Sequence, residues 1–399
     1  MTVGLPPARP SLAGVTVLDL TRLLPGNYAT LLLYGLGAEV IKIEELTGDG
    51  TRAAPPYSEA GESGPNIVLN RGKASVALDL KAADGVALLV GLIGQADVLL
   101  DSFRPGVLDR LGLDPATLAG ANPRLVHVSL TAFGDDGPYQ ALPSHDLNVQ
   151  ALAGILSLSV DDVGRPAMPA IQAADLATGM HAALAVLAGL RAVDRDGQGY
   201  RAQVAMADAA LSLTPLAAGH LAAGAGSLPG ARDMLTGALA CYGVYRCADD
   251  GWLAVGALEP KFFGRLCALL GHPEYAARQY DLAGQDQLRA DLAAVFAGRP
   301  RAAWVDLLAS EDTCVTPVND LAEAFADPNA TARGVIATAA RADGAVAPVV
   351  RAVPWLVEPP GAGAAGLGSD AEAVLGRLSG VGAEEVADLR RRGIVGGAS

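Results

Sequence analysis

At 399 residues the chain is long enough to form two domains around a large apolar core. Apolar residues make up 51% and charged residues only 18%, a balance that excludes extensive disorder. The net charge of −14 argues against a general nucleic-acid binder, because phosphate contacts need a basic face, but it permits a small anionic ligand held by a local Arg/Lys cluster.

Cysteine usage and the apolar spans bear on compartment and partners. The four cysteines form no CxxC pair, so free thiols in a reducing cytosol are expected rather than a zinc ribbon or redox motif. The first ten residues lack the pattern of a signal peptide. The longest uncharged span, residues 209–231, is broken by prolines and glycines, whereas a membrane helix needs a denser apolar run. We expect a cytoplasmic protein with no membrane or nucleic-acid partner and no metal.

Short β-branched strands alternate with apolar helices in the first third of the chain. Strands are predicted at 15–20, 39–44, 75–81, 97–101 and 124–130, and helices at 28–36, 85–94 and 115–120. This order predicts a parallel, doubly wound (Rossmann-like) α/β layer, to which residues 199–205 offer a further strand. Gly35 and Gly37 end a helix instead of opening one, so no dinucleotide fingerprint is present.

A linker-like segment at 224–230 precedes a change of pattern. Strands are predicted at 242–247 and 252–257 around a hairpin turn, followed by helices near 260–271, 286–297 and 301–309. The tail adds helical segments between 369 and 392. We therefore predict a large domain over 1–224, completed by 331–399, and a smaller α+β domain over 225–330.

The stretch from 144 to 191 carries the candidate catalytic residues. His145 follows the turn-prone Pro143 and Ser144, and Asp175 opens an apolar run thirty residues later. Large apolar residues there recur every three to four positions, which predicts a helix with one buried stripe: Leu176, Met180, Leu184, Leu187 and Leu190. At the helix start Asp175 can cap free N–H groups, and the helix dipole would keep its carboxylate ionised. On spacing alone, a plain cap at Asp175 and a loop residue at His145 are the simpler interpretation.

Several segments, in order, resemble one superfamily. Asp175 in its Ala-Asp-Leu-Ala-Thr-Gly setting is similar to the acidic motif of the family III coenzyme A transferases (CaiB/BaiF), and Ser-His-Asp-Leu-Asn resembles the histidine motif of their α-methylacyl-CoA racemase branch. Further similar segments are 12–22, 36–44, 69–73, 76–81, 103–112, 122–126, 256–263 and 314–318. The resemblance covers about residues 11–330, with a departure at Thr236, where the racemase pattern has an acid.

The resemblance implies that coenzyme A, as part of an acyl-CoA substrate, lies along the large domain and that no other cofactor is needed. The implied ligand contacts are Leu78, Asp79, Leu80, Lys81, Ser102, Phe103, Arg104, Arg110, Ser144 and Asp146. Phosphates favour Arg and Lys contacts, and adenine favours an apolar or aromatic wall such as Phe103. Glu45 stands where some family members carry an arginine, so the phosphate contacts would be redistributed.

By the same resemblance His145 and Asp175 are paired bases on either side of the carbon next to a thioester. Such a pair can invert that carbon through an enolate, stabilised by backbone N–H groups near the helix start. Glu259 would pair with His145, although a plain helix-start acid before Pro260 is equally compatible. This reading predicts a 2-methylacyl-CoA racemase that forms an interlocked homodimer.

Two other functions remain open. In a CoA-transferase Asp175 would instead be the nucleophile and carry CoA as an aspartyl thioester between carboxylic acids. In a CoA-binding protein without catalysis neither residue would react. The remaining histidines, His127, His181, His220 and His272, are expected to be core or cap residues, and HExxH, P-loop and GxSxG motifs are missing from the sequence.

Overall fold

The computed structural model describes residues 8–161, 164–226, 233–359 and 361–397. The chain divides into two compact units. The first comprises 1–156, 168–218 and 333–399, and the second comprises 157–167 and 219–332. The short segment 157–167, which the sequence pattern placed in the large domain, thus belongs to the second unit.

The strands are β1 (Thr16–Leu20), β2 (Glu39–Glu44), β3 (Ala74–Ala77), β4 (Val98–Asp101), β5 (Val126–Thr131), β6 (Tyr200–Ala205), β7 (Tyr242–Arg246), β8 (Trp252–Gly256), β9 (Val315–Pro317), β10 (Ile336–Ala340) and β11 (Val346–Val350).

The α-helices are α1 (Leu23–Gly35), α2 (Gly64–Asn70), α3 (Ala83–Ile93), α4 (Val107–Arg110), α5 (Pro115–Ala121), α6 (Asp146–Leu152), α7 (Ile155–Leu158), α8 (Ala173–Asp196), α9 (Met206–Leu211), α10 (Pro215–Ala222), α11 (Pro260–Leu269), α12 (Gln285–Phe296), α13 (Arg301–Leu308), α14 (Leu321–Phe325), α15 (Pro328–Ala332), α16 (Ala371–Ser379) and α17 (Ala383–Arg391). Short 3-10 helices span Gly50–Ala53, Pro273–Arg278 and Leu282–Gly284.

The first unit is built on a six-stranded sheet in the order β3-β2-β1-β4-β5-β6. Every neighbouring pair in this sheet is parallel. The order is that of a doubly wound fold, in which the chain reverses its direction of winding between β1 and β4. The predicted fold class is confirmed, and the strand predicted at 199–205 pairs with β5 as β6.

Both faces of this sheet are covered, as a parallel sheet requires. Alternate strand residues point to opposite faces: Leu18, Ile41 and Leu99 belong to one core with α3, α16 and α17. Val17 and Val98 belong to the other core, with α1 and α8. Because successive side chains of a strand point to opposite faces, each strand contributes residues to both apolar layers.

Helix α8 corrects the prediction of its buried face. Its buried residues are mainly small, including Ala174, Gly179, Ala182, Val186 and Gly189. A Cβ on Gly179 would lie 2.7 Å from a backbone oxygen of α1, so only a small residue permits this approach. Three of the five residues of the predicted stripe are instead turned outward: Met180, Leu184 and Leu187 are exposed by 45%, 59% and 37%, whereas Leu176 and Leu190 are half-buried. Close backbone packing has overridden the usual rule that the larger apolar residues face the core.

Two other expectations need adjustment. The third strand, predicted to reach Lys81, ends at Ala77, and Leu78 makes only an isolated bridge to Val395. The hairpin of β10 and β11 has no counterpart in the sequence prediction. By length and composition α8 is apolar enough to span a membrane, but within the first unit it packs on α1, β5 and β6.

The second unit contains the antiparallel sheet β7-β8-β9, with the predicted β7–β8 hairpin. Its core is formed by one face of that sheet together with α11, α12 and α13. Phe263, Phe296 and Leu292 are fully buried there. This arrangement agrees with the predicted α+β character.

Candidate active site

The candidate site lies where the parallel sheet changes its winding direction. Ligands of doubly wound folds bind outside the carboxyl ends of the strands at this point. Here β1 ends at Leu20 and β4 at Asp101, and the chain continues into two short connections. The N–H of Arg22 donates to the Oγ of Ser102 at 3.0 Å, which joins these connections.

A cavity of about 470 Å³ opens at this edge of the sheet, and all its lining residues belong to the first unit. From the β4 connection it is lined by Ser102, Phe103 and Arg104. From the opposite wall it is lined by Ser144, His145 and Asp175. The two residues predicted to flank a reacting carbon therefore share one cavity, as do four of the predicted ligand contacts.

Asp146 holds the start of α8 in place. Its Oδ1 accepts hydrogen bonds from the N–H groups of Ala174 and Asp175 at 2.9 and 3.1 Å. Its Oδ2 accepts from the side chain of Gln150 at 2.6 Å. Asp146 is 8% exposed and directly follows His145, so this carboxylate ties the His145 segment to the Asp175 helix. Although the resemblance suggests a ligand contact, the observed contacts of Asp146 serve to position both residues.

The prediction that Asp175 caps its own helix is wrong. Helix α8 begins at Ala173, so Asp175 lies in its first turn, and the capping acceptor is Asp146. Within the described ranges the Asp175 carboxylate has no hydrogen-bond partner, which leaves it available to the cavity. The backbone amides near it are occupied, since Leu176 N–H donates to the Gln172 carbonyl. These amides are therefore not available to an enolate oxygen, contrary to expectation.

The prediction that Asp175 stays firmly ionised is also wrong. Burial, and to a lesser extent the negative charge of Asp146, raise the pKa of Asp175 to about 7. The carboxylate of Asp146, which accepts from the first amides of α8, places a negative charge at the helix end that opposes the helix dipole. At neutral pH this carboxyl group can thus both accept and donate a proton.

His145 is positioned by its backbone at the start of α6. It occupies the N-cap position, and its N–H donates to the Oδ1 of Asn148 at 3.2 Å. The imidazole is exposed and lines the cavity, and Ser144 donates to the His145 carbonyl. The backbone is therefore fixed while the ring keeps access to solvent and to a ligand.

A second cavity, of about 430 Å³, adjoins the first. The two share Arg22, Glu45 and Phe103 as lining residues. The predicted contacts Leu78, Asp79, Leu80 and Lys81 line this second cavity, because β3 ends early and the chain turns there. Together the cavities can accommodate an elongated ligand, with Phe103 and Glu45 at their junction.

Besides Asp146, two predicted site residues are not among the described residues that line the two cavities. Arg110 ends α4, is exposed, and is not among the described residues that line either cavity. Glu259 belongs to the second unit, where it occupies the N-cap position of α11 and is exposed. The pairing of Glu259 with His145 stays a prediction.

Sequence reasoning missed a buried ionic network beneath the first cavity. Lys42 and Lys73 lie 3.8 and 3.5 Å from Asp19, and Lys42 lies 3.5 Å from Asp49. Burial lowers the pKa of Lys73 to about 7. Asp49 also accepts from the N–H of Leu23, whose φ of +61° marks a strained start of α1. The network thus holds the β1 connection that forms the cavity wall. The only signal in the sequence was the charge of these residues inside otherwise apolar strands and motifs.

A 3-2-1-4-5-6 parallel sheet with an extended cleft at its switch point is the architecture of a doubly wound α/β protein, a class that binds its ligands at that point. The sequence matches CoA-transferase family III over residues 12–368, and the chain belongs to that family of enzymes. An alpha-methylacyl-CoA racemase of Mus musculus is 33% identical over 88% of this chain and 87% of its own length. A succinate–glutarate CoA-transferase of Agrobacterium fabrum is 32% identical over 87% and 90%. A crystal structure of a CAIB/BAIF family protein from Brucella suis has a TM-score of 0.82 at 28% identity, covering 92% of this chain and 99% of that one.

Proposed function

We propose that this protein interconverts (2R)- and (2S)-2-methylacyl-CoA thioesters. The observation that carries the proposal is that His145 and Asp175 line one cavity while the Asp175 carboxyl has a pKa of about 7. A two-base racemase must use each group as base in one direction and as acid in the other. A carboxyl group that titrates near neutrality meets this requirement, whereas one with an ordinary pKa of 3.8 would be a poor acid.

The proposed reaction moves one proton onto the enzyme and another back. Asp175 accepts the α proton of one enantiomer, and the electron pair of the C–H bond passes into the thioester to give an enolate. Protonated His145 then donates to the opposite face of the same carbon, which inverts it. In the reverse direction the two residues exchange roles. The CoA portion would extend past Phe103 into the second cavity, and no further cofactor takes part.

A second candidate function is CoA transfer between carboxylic acids, which the Agrobacterium relative favours. In that reaction ionised Asp175 would attack the acyl-CoA to give an acyl-aspartyl anhydride and free CoA thiolate. The thiolate would then attack the aspartyl carbonyl, which releases the substrate's acyl group as a carboxylate and leaves an aspartyl-CoA thioester for the acceptor acid. His145 would have no required role in proton transfer.

The test is deuterium uptake at the α carbon of a 2-methylacyl-CoA in heavy water, with and without an acceptor acid. Racemisation predicts exchange without acceptor, loss of inversion of a single enantiomer in both Asp175→Asn and His145→Ala, and no enzyme-bound CoA by intact mass. A CoA adduct on Asp175, or a transfer activity that survives His145→Ala, would establish the second candidate instead. The matched control is His181→Ala, which alters another histidine in the same unit, one that bonds to Ser212.

The outward stripe of α8 supports the expected homodimer. Met180, Leu184 and Leu187 recur at one face of the helix and are exposed in the single chain. A contiguous apolar stripe of this kind is typical of a surface that a second protein covers. We expect Leu184→Glu to shift the protein from dimer to monomer by light scattering, and a variant that stays dimeric would place the interface elsewhere.

A further inference from the structure

A second cluster of polar side chains lies on the neighbouring strands β4 and β5, outside the catalytic pair. Asp101, His127 and Ser129 are 2%, 6% and 7% exposed, so burial would be costly without mutual hydrogen bonds. Asp101 Oδ2 lies 2.8 Å from the Nε2 of His127 and accepts the hydroxyl of Ser129 at 2.8 Å. Asp101 Oδ1 accepts the N–H of Phe103 at 3.0 Å.

Although these residue types match a serine–histidine–aspartate triad, the geometry excludes that role. In a triad the acid and the serine bond to opposite nitrogens of the imidazole, so that a proton can pass between them. Here Ser129 lies 3.2 Å from the same Nε2 that faces Asp101. The cluster therefore cannot activate its serine, and its hydrogen bonds converge on Asp101.

The hydrogen bonds that meet at Asp101 bear on the position of Phe103. Phe103 lines both cavities of the candidate site and also a third cavity of about 250 Å³ that contains Asp101, His127 and Ser129. It lies in the irregular connection between β4 and α4, where helix or strand hydrogen bonds do not hold the backbone. Its ring packs against the core on one face of the sheet, and the bond from its N–H to Asp101 ties its backbone to the end of β4.

We propose that Asp101 and His127 are positioning residues for CoA binding, which hold the Phe103 segment in the geometry that the ligand needs. His127 contributes by donating to Asp101 and so fixing the carboxylate that accepts the Phe103 N–H. The inference rests on the proposed function, in which CoA lies along Phe103. Because neither residue is placed against the reacting carbon, their loss should weaken binding and leave the chemical step intact.

The experiment compares His127→Leu, His127→Gln and Asp101→Asn with the unmodified full chain. CoA affinity is measured by calorimetry, kcat and KM by α-deuterium exchange, and protection of the Phe103 amide by hydrogen exchange with mass spectrometry. His127→Leu is expected to raise the Kd for CoA and the KM about tenfold, the loss typical of one hydrogen bond to a charged group. Its kcat should stay within about twofold of the unmodified enzyme, and the Phe103 amide should exchange faster.

His127→Gln retains a donor for Asp101 and should restore most of the affinity, which a purely space-filling role would not predict. Should the leucine variant fail to fold, Asp101→Asn decides the question, because asparagine can still accept from Phe103 but not from His127. His272→Gln is the matched control: His272 also pairs with a carboxylate, that of Glu274, but lies in the second unit.

The outcomes separate the two proposals. If the unmodified protein does not bind CoA, the proposed function fails and this inference with it. If it binds CoA while folded His127→Leu and Asp101→Asn bind equally well, or lose kcat at unchanged KM, the positioning role alone is overturned.

Discussion

Asp175→Asn is expected to abolish activity and at the same time to stabilise the folded protein at alkaline pH. The substitution preserves size and removes the charge that burial and Asp146 disfavour. A carboxyl whose pKa is raised on folding contributes most stability below its unfolded pKa, near 3.8, and that contribution is lost as the pH rises towards about 7. The advantage of the asparagine variant should therefore grow between these values and level off above about 7.

The size of the effect follows from the same shift. The difference between 3.8 and about 7 is worth at most about 4 kcal/mol for a fully dry site. Asp175 is only part-buried and lines an open cavity, so screening by water reduces the expected gain to about 1 to 2 kcal/mol. The asparagine loses no protein hydrogen bond, because the Asp175 carboxylate has none within the described ranges.

The assay is urea unfolding followed by circular dichroism at pH 5 and pH 8. We expect the variant to exceed the unmodified protein in free energy of unfolding by clearly more at pH 8 than at pH 5. Asp194→Asn, an exposed carboxylate on the same helix, is the matched control and should change stability by less than about 0.5 kcal/mol. A gain that is equal at both pH values, or a loss at pH 8, would refute the assignment of a raised pKa to Asp175.

Substitutions at three further positions test other parts of the structure. Asp146→Asn removes the charge beside Asp175 but keeps an acceptor for the helix, so the acid limb of the pH profile of kcat/KM for α-proton exchange should move to lower pH. An acid limb at unchanged pH would contradict the electrostatic coupling between Asp146 and Asp175. Asp146→Ala removes the acceptor as well and should in addition lower the free energy of unfolding by about 1 kcal/mol. Gly179→Ala places a Cβ 2.7 Å from a backbone oxygen of α1 and should lower the free energy of unfolding by about 1 to 3 kcal/mol in urea, and unchanged stability would show that α1 and α8 can separate at no cost. Lys73→Met removes one of the two cations beside buried Asp19 and should cost about 3 to 5 kcal/mol by the same measurement, so a neutral result would mean that the network does not stabilise the fold.

The local pattern of apolar and β-branched residues was sufficient to predict the strands of the parallel sheet. Strands such as Glu39–Glu44 were predicted with their observed bounds, because a buried parallel strand is a short apolar β-branched run whatever surrounds it. Asp175 and His145 were recognised as a pair only through resemblance to a family, because a spacing of thirty residues in the chain does not indicate that two segments lie close together in the fold. Their occurrence in one cavity is a property of the folded first unit.

The α8 stripe shows why periodicity predicted the helix but not its buried side. The spacing of Met180, Leu184 and Leu187 correctly indicates a helix with an apolar face. The alanines and glycines on the other face form the buried side, because they allow α8 to approach α1 closely, and the spacing of the large apolar residues does not indicate this. Which face is covered depends on the neighbouring helix, and that neighbour lies more than a hundred residues away in the chain.

The alternation of strands and helices, the family and the two candidate bases could all be predicted from short local motifs. The pKa of Asp175 could not, because it depends on burial and on the carboxylate of Asp146, 29 residues away in the chain, which accepts from the Asp175 N–H. The fold also brings Asp146 to the start of α8 and lets His127 and the Phe103 N–H converge on Asp101. Desolvation and hydrogen bonding are set by whichever groups folding brings within a few ångströms, and that information is not local.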